Sequence, residues 1–360
     1  MKQATDRPTD DQTTDDQQTT AADNTETPLA EETTVNAPPE IGRRILQPRT
    51  LLGFLIAAVA LYFFYKRGFD LDFREVWARM RSANGWLLLL TFVVYYTSFI
   101  FRTLRWQTLL ANVGYSRERG VPMPSAWGLG EILYLSWFAN CVTVARLGDA
   151  YRGYMLKRSA GVSFTVTLGT IFAERLIDLV VLAGLMAVST FAAFRGVLPP
   201  EAEQALIGGV VLAGVGLLGL ASLRRLRPLI QRVLPERLFR HYDGVESGLV
   251  GSLRRLPLLT GFSVAGWMIE GITLYLTATA LGANLSIVGA IVVALVASLL
   301  TAVPFTPAGL GVTEAGMVLV LTRLGLDPNA AGAVALLNRV VNYWSIVVFG
   351  AILYIFSRKK

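Results

Sequence analysis

Between Leu51 and Phe356 the chain keeps returning to apolar runs that approach the ~20 residues a helix needs to cross a bilayer core. No other feature limits the fold as strongly. The runs taken as crossings are 51–65, 86–101, 162–194, 205–220, 258–281 and 330–356. Charged residues make up 16% of the sequence, hydrophobic ones 53%, and mean hydropathy is positive. A soluble domain carries about 25% charged residues. The expected fold class is therefore all-α, a polytopic membrane protein.

The inventory of reactive side chains excludes several chemistries. One cysteine, Cys141, and one histidine, His241, stand far apart in the sequence. A Cys/His zinc site, a disulfide framework and a Ser-His-Asp triad all need more than that. No G-x-x-x-x-G-K-[ST] phosphate loop is present. The sequence calls for no cofactor, no metal and no catalytic residue, and an enzyme built on this chain would have only carboxylates to work with.

Charge is divided along the chain. Residues 1–40 hold ten Asp or Glu against Lys2 and Arg7, in a Thr/Asp/Gln-rich stretch with few apolar residues. Such a stretch buries too little surface to offset its ordering entropy, so it is expected to be a disordered acidic tail. It lacks the apolar region of a signal peptide. Residues 41–360 form the expected transmembrane domain, with 31 basic and 16 acidic residues. That balance suits anionic lipid surfaces. Nucleic acid is not expected, because no basic stretch is interleaved with stacking aromatics.

An offset of 164 residues superposes two polar helices. "GTIFAERLIDLVVLAG", from Gly169, falls on "AVALLNRVVNYWSIVVFG". Arg175 then meets Arg339, Asp178 meets Asn342, Glu174 meets Asn338, and Gly161 meets Gly325. Arginine inside a membrane span is rare, so the match favours an internal repeat, about 86–195 and about 258–356. Upstream of each polar helix lies an apolar arm and then a short glycine-containing arm. The short arms, 147–159 and 311–324, are ~20 Å long as helices against a core of ~30 Å.

We therefore expect about six full transmembrane helices plus two re-entrant helical hairpins, 127–160 from the cytoplasm and 286–325 from outside, in an inverted repeat. The positive-inside count supports that arrangement. Arg43, Arg44 and Arg49, Arg102, Arg105, Arg117 and Arg119, the eight arginines of 222–257, and Arg358-Lys359-Lys360 then share the cytoplasmic side. Both termini are cytoplasmic in this scheme, and 222–257 is a basic cytoplasmic loop. "DFREVWARM" (72–80) fits a short interfacial helix.

The polar residues within the spans are candidates for function. In "ERLID", Glu174 and Asp178 share a helix face, and Arg175 can pair with Asp178. The group suits a functional site and a self-neutralising packing pair equally. Arg339 has only Asn338 and Asn342 within a helical turn. A buried arginine without an anion costs several kcal/mol or more, which nominates Glu270 or Glu314 as resting partner and a lipid phosphate as functional partner. In "VARLGDAYRGYMLKR" (144–158), Arg146, Asp149 and Arg152 lie along one side of a helix. Gly148 allows close backbone approach and frees peptide N–H groups for an anion. Pro304, Pro307, Gly309 and Gly311 break the second hairpin, where Thr306, Thr313 and free backbone groups can serve the same end. Lys157 and Arg158 read as headgroup-facing charges.

At these residues the chain resembles the lysylphosphatidylglycerol synthase transmembrane-region family, the flippase-like membrane proteins. The resemblance rests on "FRTLRW" (101–106), "ARLGDAYRGYML" (145–156), "ERLIDL" (174–179) and "PAGLGVTEAG" (307–316), and spans roughly 45–356. Ala308 stands where the family usually has a second glycine. The resemblance implies movement of lipids between leaflets, an aminoacylated phosphatidylglycerol being one example. It also implies a module without the aminoacyl-transfer domain that follows it in full synthases, or the glycosyltransferase fused to it in archaeal relatives.

The resulting expectation is a lipid translocator in the cell membrane. Its partners are membrane lipids with anionic or aminoacylated headgroups, and a homodimer or a lipid-synthesis partner stays open. The headgroup phosphate would sit on Arg146, Arg152, Arg175 or Arg339. Glu174, Asp178, Glu270 and Glu314 would balance those charges when no lipid is present. Two rivals are a membrane-embedded lipid transferase or phosphatase, and a non-catalytic partner of a lipid-modifying complex docked through the acidic tail. The first would need carboxylates free to hold a metal, whereas Asp149 and Glu174 are crowded by arginines.

Overall fold

The computed structural model describes Tyr62 and residues 71–143, 147–193, 200–301 and 309–357. The acidic segment 1–40, the expected first crossing at 51–65 apart from Tyr62, and Arg146 and Pro307 lie outside the described residues. Helices and their connections make up everything described, with no strand among the described residues.

Among the described residues twelve α-helices follow in order: α1 (Phe73–Arg81), α2 (Gly85–Asn112), α3 (Ala126–Val142), α4 (Leu147–Ala160), α5 (Phe164–Ala193) and α6 (Pro200–Val233), then α7 (Glu236–Ser252), α8 (Leu256–Ala280), α9 (Ile287–Thr301), α10 (Val312–Arg323), α11 (Pro328–Arg339) and α12 (Ser345–Phe356). Local sequence sets many of the boundaries. The Asp72 and Asn84 side chains accept from the first peptide N–H groups of α1 and α2. Ser125 does so for α3, and Asp327 for α11, where Pro328 occupies the first position. Gly161 and Gly325, at φ 66° and 95°, end α4 and α10 in the left-handed region that side chains avoid.

Among the described residues, four stretches are long and apolar enough to cross a membrane: Gly85–Arg119, Leu206–Leu223, Leu256–Ala280 and Pro328–Phe356. The 30-residue α5 matches them in length but carries Glu174, Arg175 and Asp178 near its middle. The last crossing contains a π-turn at Val340–Trp344, where the Ser345 N–H reaches back to the Val340 carbonyl.

Two expectations need correction. The second crossing does not stop at Phe101; α2 runs on to Asn112, so Arg102 and Arg105 are buried helix residues and not loop charges. Trp106, Leu109 and Leu110 share their buried face, which makes helix continuation more favourable than exit to water. The segment 222–257 is helical over most of its length, as the end of α6 and all of α7.

The most extensive helix contact joins α2 to α8, followed by α5 against α7. Lipid tails are as apolar as leucine, so helices in a bilayer associate by close packing rather than by water exclusion. Glycine supplies it between α5 and α7. A Cβ on Gly248 would stand 2.1 Å from the Val166 carbonyl oxygen, one on Gly244 2.2 Å from Thr165 Oγ1, and one on Gly169 2.3 Å from the Val245 carbonyl. One core, rich in aromatics, gathers Tyr95, Trp106, Phe138, Tyr151 and Tyr343 from α2, α3, α4 and the π-turn. A second, aliphatic core is built on α8, α9, α10 and α11 around Leu274, Val293, Leu295, Val318 and Val334.

Candidate functional site

A three-helix contact brings six ionised groups together. Arg105 of α2 donates through Nη2 to Glu174 Oε1 at 2.9 Å and to Asp178 Oδ2 at 3.1 Å. Its Nη1 bonds Asp178 Oδ1 and also Ser263 Oγ on α8, the latter at 2.7 Å. Arg152 of α4 takes the other oxygen of Glu174, Nη2 to Oε2 at 2.6 Å. Arg175 donates to both oxygens of Asp149 on α4, at 2.9 and 3.2 Å from Nη2. Three guanidinium groups thus face three carboxylates, and the cluster is formally neutral.

Burial makes these pairs strong and exacting. Arg152 is 0% exposed, Arg105 2% and Glu174 2%. Arg175 and Asp149 retain more access, with side chains 28% and 20% exposed, so the cluster opens on the Asp149 side. Breaking a buried pair costs about 3–5 kcal/mol because the remaining charge is left uncompensated. The Arg152 guanidinium lies 3.9 Å over the Trp106 ring, a cation–π contact. Arg152 Nε and Nη1, Arg105 Nε and the Trp106 indole N–H make no hydrogen bond. Every orphan in that group is a donor, so the site has spare capacity for an acceptor-rich anion.

A second pair lies between α2 and α8. Arg102 Nη2 donates to Glu270 Oε1 at 2.9 Å, and its guanidinium sits 4.4 Å from the Trp137 ring and 5.7 Å from Trp267. A third joins the end of α11 to the first turn of α10. Arg339 Nε donates to Glu314 Oε1 at 2.8 Å, and Nη2 reaches the Gly309 carbonyl at 3.4 Å. The other Glu314 oxygen accepts from the Gly311 N–H at 2.7 Å, closing the first turn of α10. Gly309 and Gly311 have φ of 69° and 88°, which the loop geometry requires.

Of the residues nominated from sequence, Asp149, Arg152, Glu174, Arg175 and Asp178 converge in one cluster. Asp178 pairs with Arg105 and not with its own-helix neighbour Arg175, which turns to Asp149 instead. Of the two partners considered for Arg339, Glu314 is the one in contact, and Glu270 is held by Arg102. Gly148 serves helix packing. Its N–H donates to Asn140 Oδ1 at 2.8 Å, and a Cβ there would stand 2.0 Å from the Ser136 carbonyl. Asn338 is buried beside Arg339. Asn342 offers its carbonyl to the Tyr95 hydroxyl at 3.1 Å, and its side-chain oxygen has no hydrogen bond. Sequence reasoning missed Arg102, Arg105 and the tryptophans around them. Their signal was present in "FRTLRW", two arginines three residues apart directly continuing an apolar run.

Residues 50–350 match the model of a family described as the lysylphosphatidylglycerol synthase TM region. The chain belongs to that family. Among its relatives, a UPF0104 membrane protein of Methanocaldococcus jannaschii is 36% identical over 220 residues, covering 60% of this chain and 93% of the relative. A UPF0104 membrane protein of Pyrococcus horikoshii is 22% identical over 78% of this chain and 90% of its own length. The glycosyltransferase AglD of Haloferax volcanii is 26% identical over 87% of this chain, a match that covers 54% of AglD. The family match contains the three buried arginine–carboxylate groups described above.

Proposed function

We propose that this membrane protein moves a phospholipid or lipid-linked headgroup between leaflets, with the Arg105–Arg152–Arg175 cluster as the headgroup site. One observation carries the proposal: a charge-balanced, mutually bridged set of three guanidinium and three carboxylate groups, held within the helices, with unused donors on Arg152 and Arg105. Ionisable residues at membrane depth are costly and mark pathways for polar cargo. A phosphate can displace Asp149 from Arg175 and use the spare donors of Arg152. An amine on the same headgroup can take the carboxylate so released. A neutral cluster therefore favours a zwitterionic or aminoacylated headgroup, because the exchange leaves no net charge in the site.

Helix lengths support the transport architecture. The arms α3 and α4 have 17 and 14 residues, and α9 and α10 have 15 and 12. At 1.5 Å per residue all four fall at or below about 26 Å, short of a ~30 Å core. In the proposed arrangement each pair is a re-entrant hairpin, the two enter from opposite faces, and both chain termini are cytoplasmic.

The deciding experiment is lipid movement in proteoliposomes carrying the purified full chain and labelled anionic, zwitterionic, aminoacylated or sugar-linked lipids. Faster transbilayer movement of at least one class is expected, slowed about tenfold by Arg175→Gln, equivalent to ~1.4 kcal/mol on the barrier. Movement no faster than in empty liposomes for every class would overturn the proposal.

A further inference from the structure

A separate cavity of about 180 Å3 lies where the end of α2 meets the α7–α8 corner, lined by Asn112, Ser116, Glu118, Arg119, Arg254 and Arg255 among others. Three arginines face one carboxylate there. The wall is held in place: Asn112 Nδ2 donates to the Ser252 carbonyl at 2.7 Å and to the Arg254 carbonyl at 2.6 Å. The corner is therefore clamped to α2.

Three features of this corner favour an anion. Arg255 is the one non-glycine residue at positive φ among the described residues, at φ 59° and ψ 39°. Left-handed backbone is unfavourable for a side chain of this kind and persists where the surroundings impose it, often at ligand sites. Arg255 is also the N-cap of the 25-residue α8, and no side chain caps that helix. Pro257 has no N–H, and the Leu258 and Leu259 N–H groups both donate to the Arg255 carbonyl, at 3.1 and 3.2 Å, which leaves the Leu256 N–H as the one in that turn without a backbone partner. Finally, two guanidinium groups sit at the positive end of the α8 dipole, where a cation is disfavoured. An anion in the cavity answers all three: it takes the Leu256 N–H, neutralises the arginines and gives the strained residue a partner.

We infer that this cavity binds a phosphate or phosphate-ester group, through Arg254, Arg255 and Arg119 with the Leu256 N–H. Arginine forks and a helix N-terminus are both suited to phosphate oxygens. The volume holds a phosphate with a few waters, each water's share of liquid being about 30 Å3. The site is distinct from the buried cluster. Asn112 follows Arg105 by seven residues on α2, about 10 Å along the helix. Phosphate bound here stands at the end of the helix that carries Arg105 and Arg102. The inference does not depend on lipid crossing the membrane.

Calorimetric titration of the detergent-purified full chain tests it, with inorganic phosphate and dihexanoyl phosphatidylglycerol as probes. At least one probe should bind, with Arg254→Gln and Arg255→Gly each weakening it tenfold or more. Arg240→Gln, on the exposed side of α7, should stay within twofold. Glycine suits φ 59°, so Arg255→Gly should unfold no earlier than the parent, which separates loss of the site from loss of the fold. Binding of inorganic phosphate supports a free phosphate ester as the ligand, and binding of the lipid alone supports a headgroup. No binding of either probe, or unchanged affinity in both pocket variants, overturns the inference.

Discussion

Arg152, wholly out of solvent, donates to Glu174 at 2.6 Å while the other oxygen of the same carboxylate holds Arg105 at 2.9 Å. Glu174 therefore joins α4 and α2 to its own helix. Glu174→Ala is expected to destabilise the protein by roughly 3–5 kcal/mol, since it leaves two buried guanidinium groups short of a partner. Thermal unfolding in detergent should show a clearly lowered midpoint. A midpoint equal to the parent's would mean that the pairs contribute nothing to folding.

Arg339 and Glu314 connect α11 to the first turn of α10. A double-mutant cycle with Arg339→Gln and Glu314→Gln should give a favourable coupling of about 0.5–3 kcal/mol. Glu314→Gln keeps an acceptor for the Gly311 N–H, so the cycle reports the ion pair and not the cap. Additive effects would show that the two side chains do not interact energetically.

Close backbone contact at glycine makes a separate prediction. A methyl group at Gly248 would collide with the Val166 carbonyl, a backbone atom that cannot swing away. Gly248→Ala should cost roughly 1–3 kcal/mol through overpacking. Gly261→Ala, where nothing stands within 4 Å, should leave the unfolding midpoint where it is or raise it, since alanine is the better helix former. Equal midpoints for the two variants would contradict the packing described for α5 and α7.

The hairpin arrangement predicts sidedness. In a Cys141→Ser background, Ser159→Cys and Arg323→Cys place a thiol near the end of α4 and of α10. An impermeant maleimide should label the two from opposite sides of the membrane in sealed vesicles. Labelling from the same side would end the inverted arrangement.

Helical class, membrane family and most of the charged cluster were legible in the sequence, because buried ionisable residues stand out against apolar runs. Partner choice was not. Within one helix the spacing of Arg175 and Asp178 offers a pair, but the side chains turn to Asp149 and Arg105 on other helices, a choice made by tertiary packing. Arg102 and Arg105 were misplaced for a related reason. Hydropathy ends a span at the first charge, whereas a helix continues for as long as its charges meet carboxylates from neighbouring helices, here Glu270, Glu174 and Asp178. Gly148 looked like an opening for a ligand because a missing side chain says only that something comes close; here it is the Ser136 carbonyl and the Asn140 side chain.

The wide turn at Val340–Trp344 has a consequence for the final crossing as a whole. An i to i+5 turn accommodates one residue more than the regular repeat, and each residue advances a helix by about 100°. Everything after Ser345 is thereby rotated out of phase with what precedes it. Arg339 can point inward at Glu314, while Val348, Phe349, Ile352 and Ile355 look outward from the same rod. The segment before the turn and the one after it acquire independent bearings without a break in the chain.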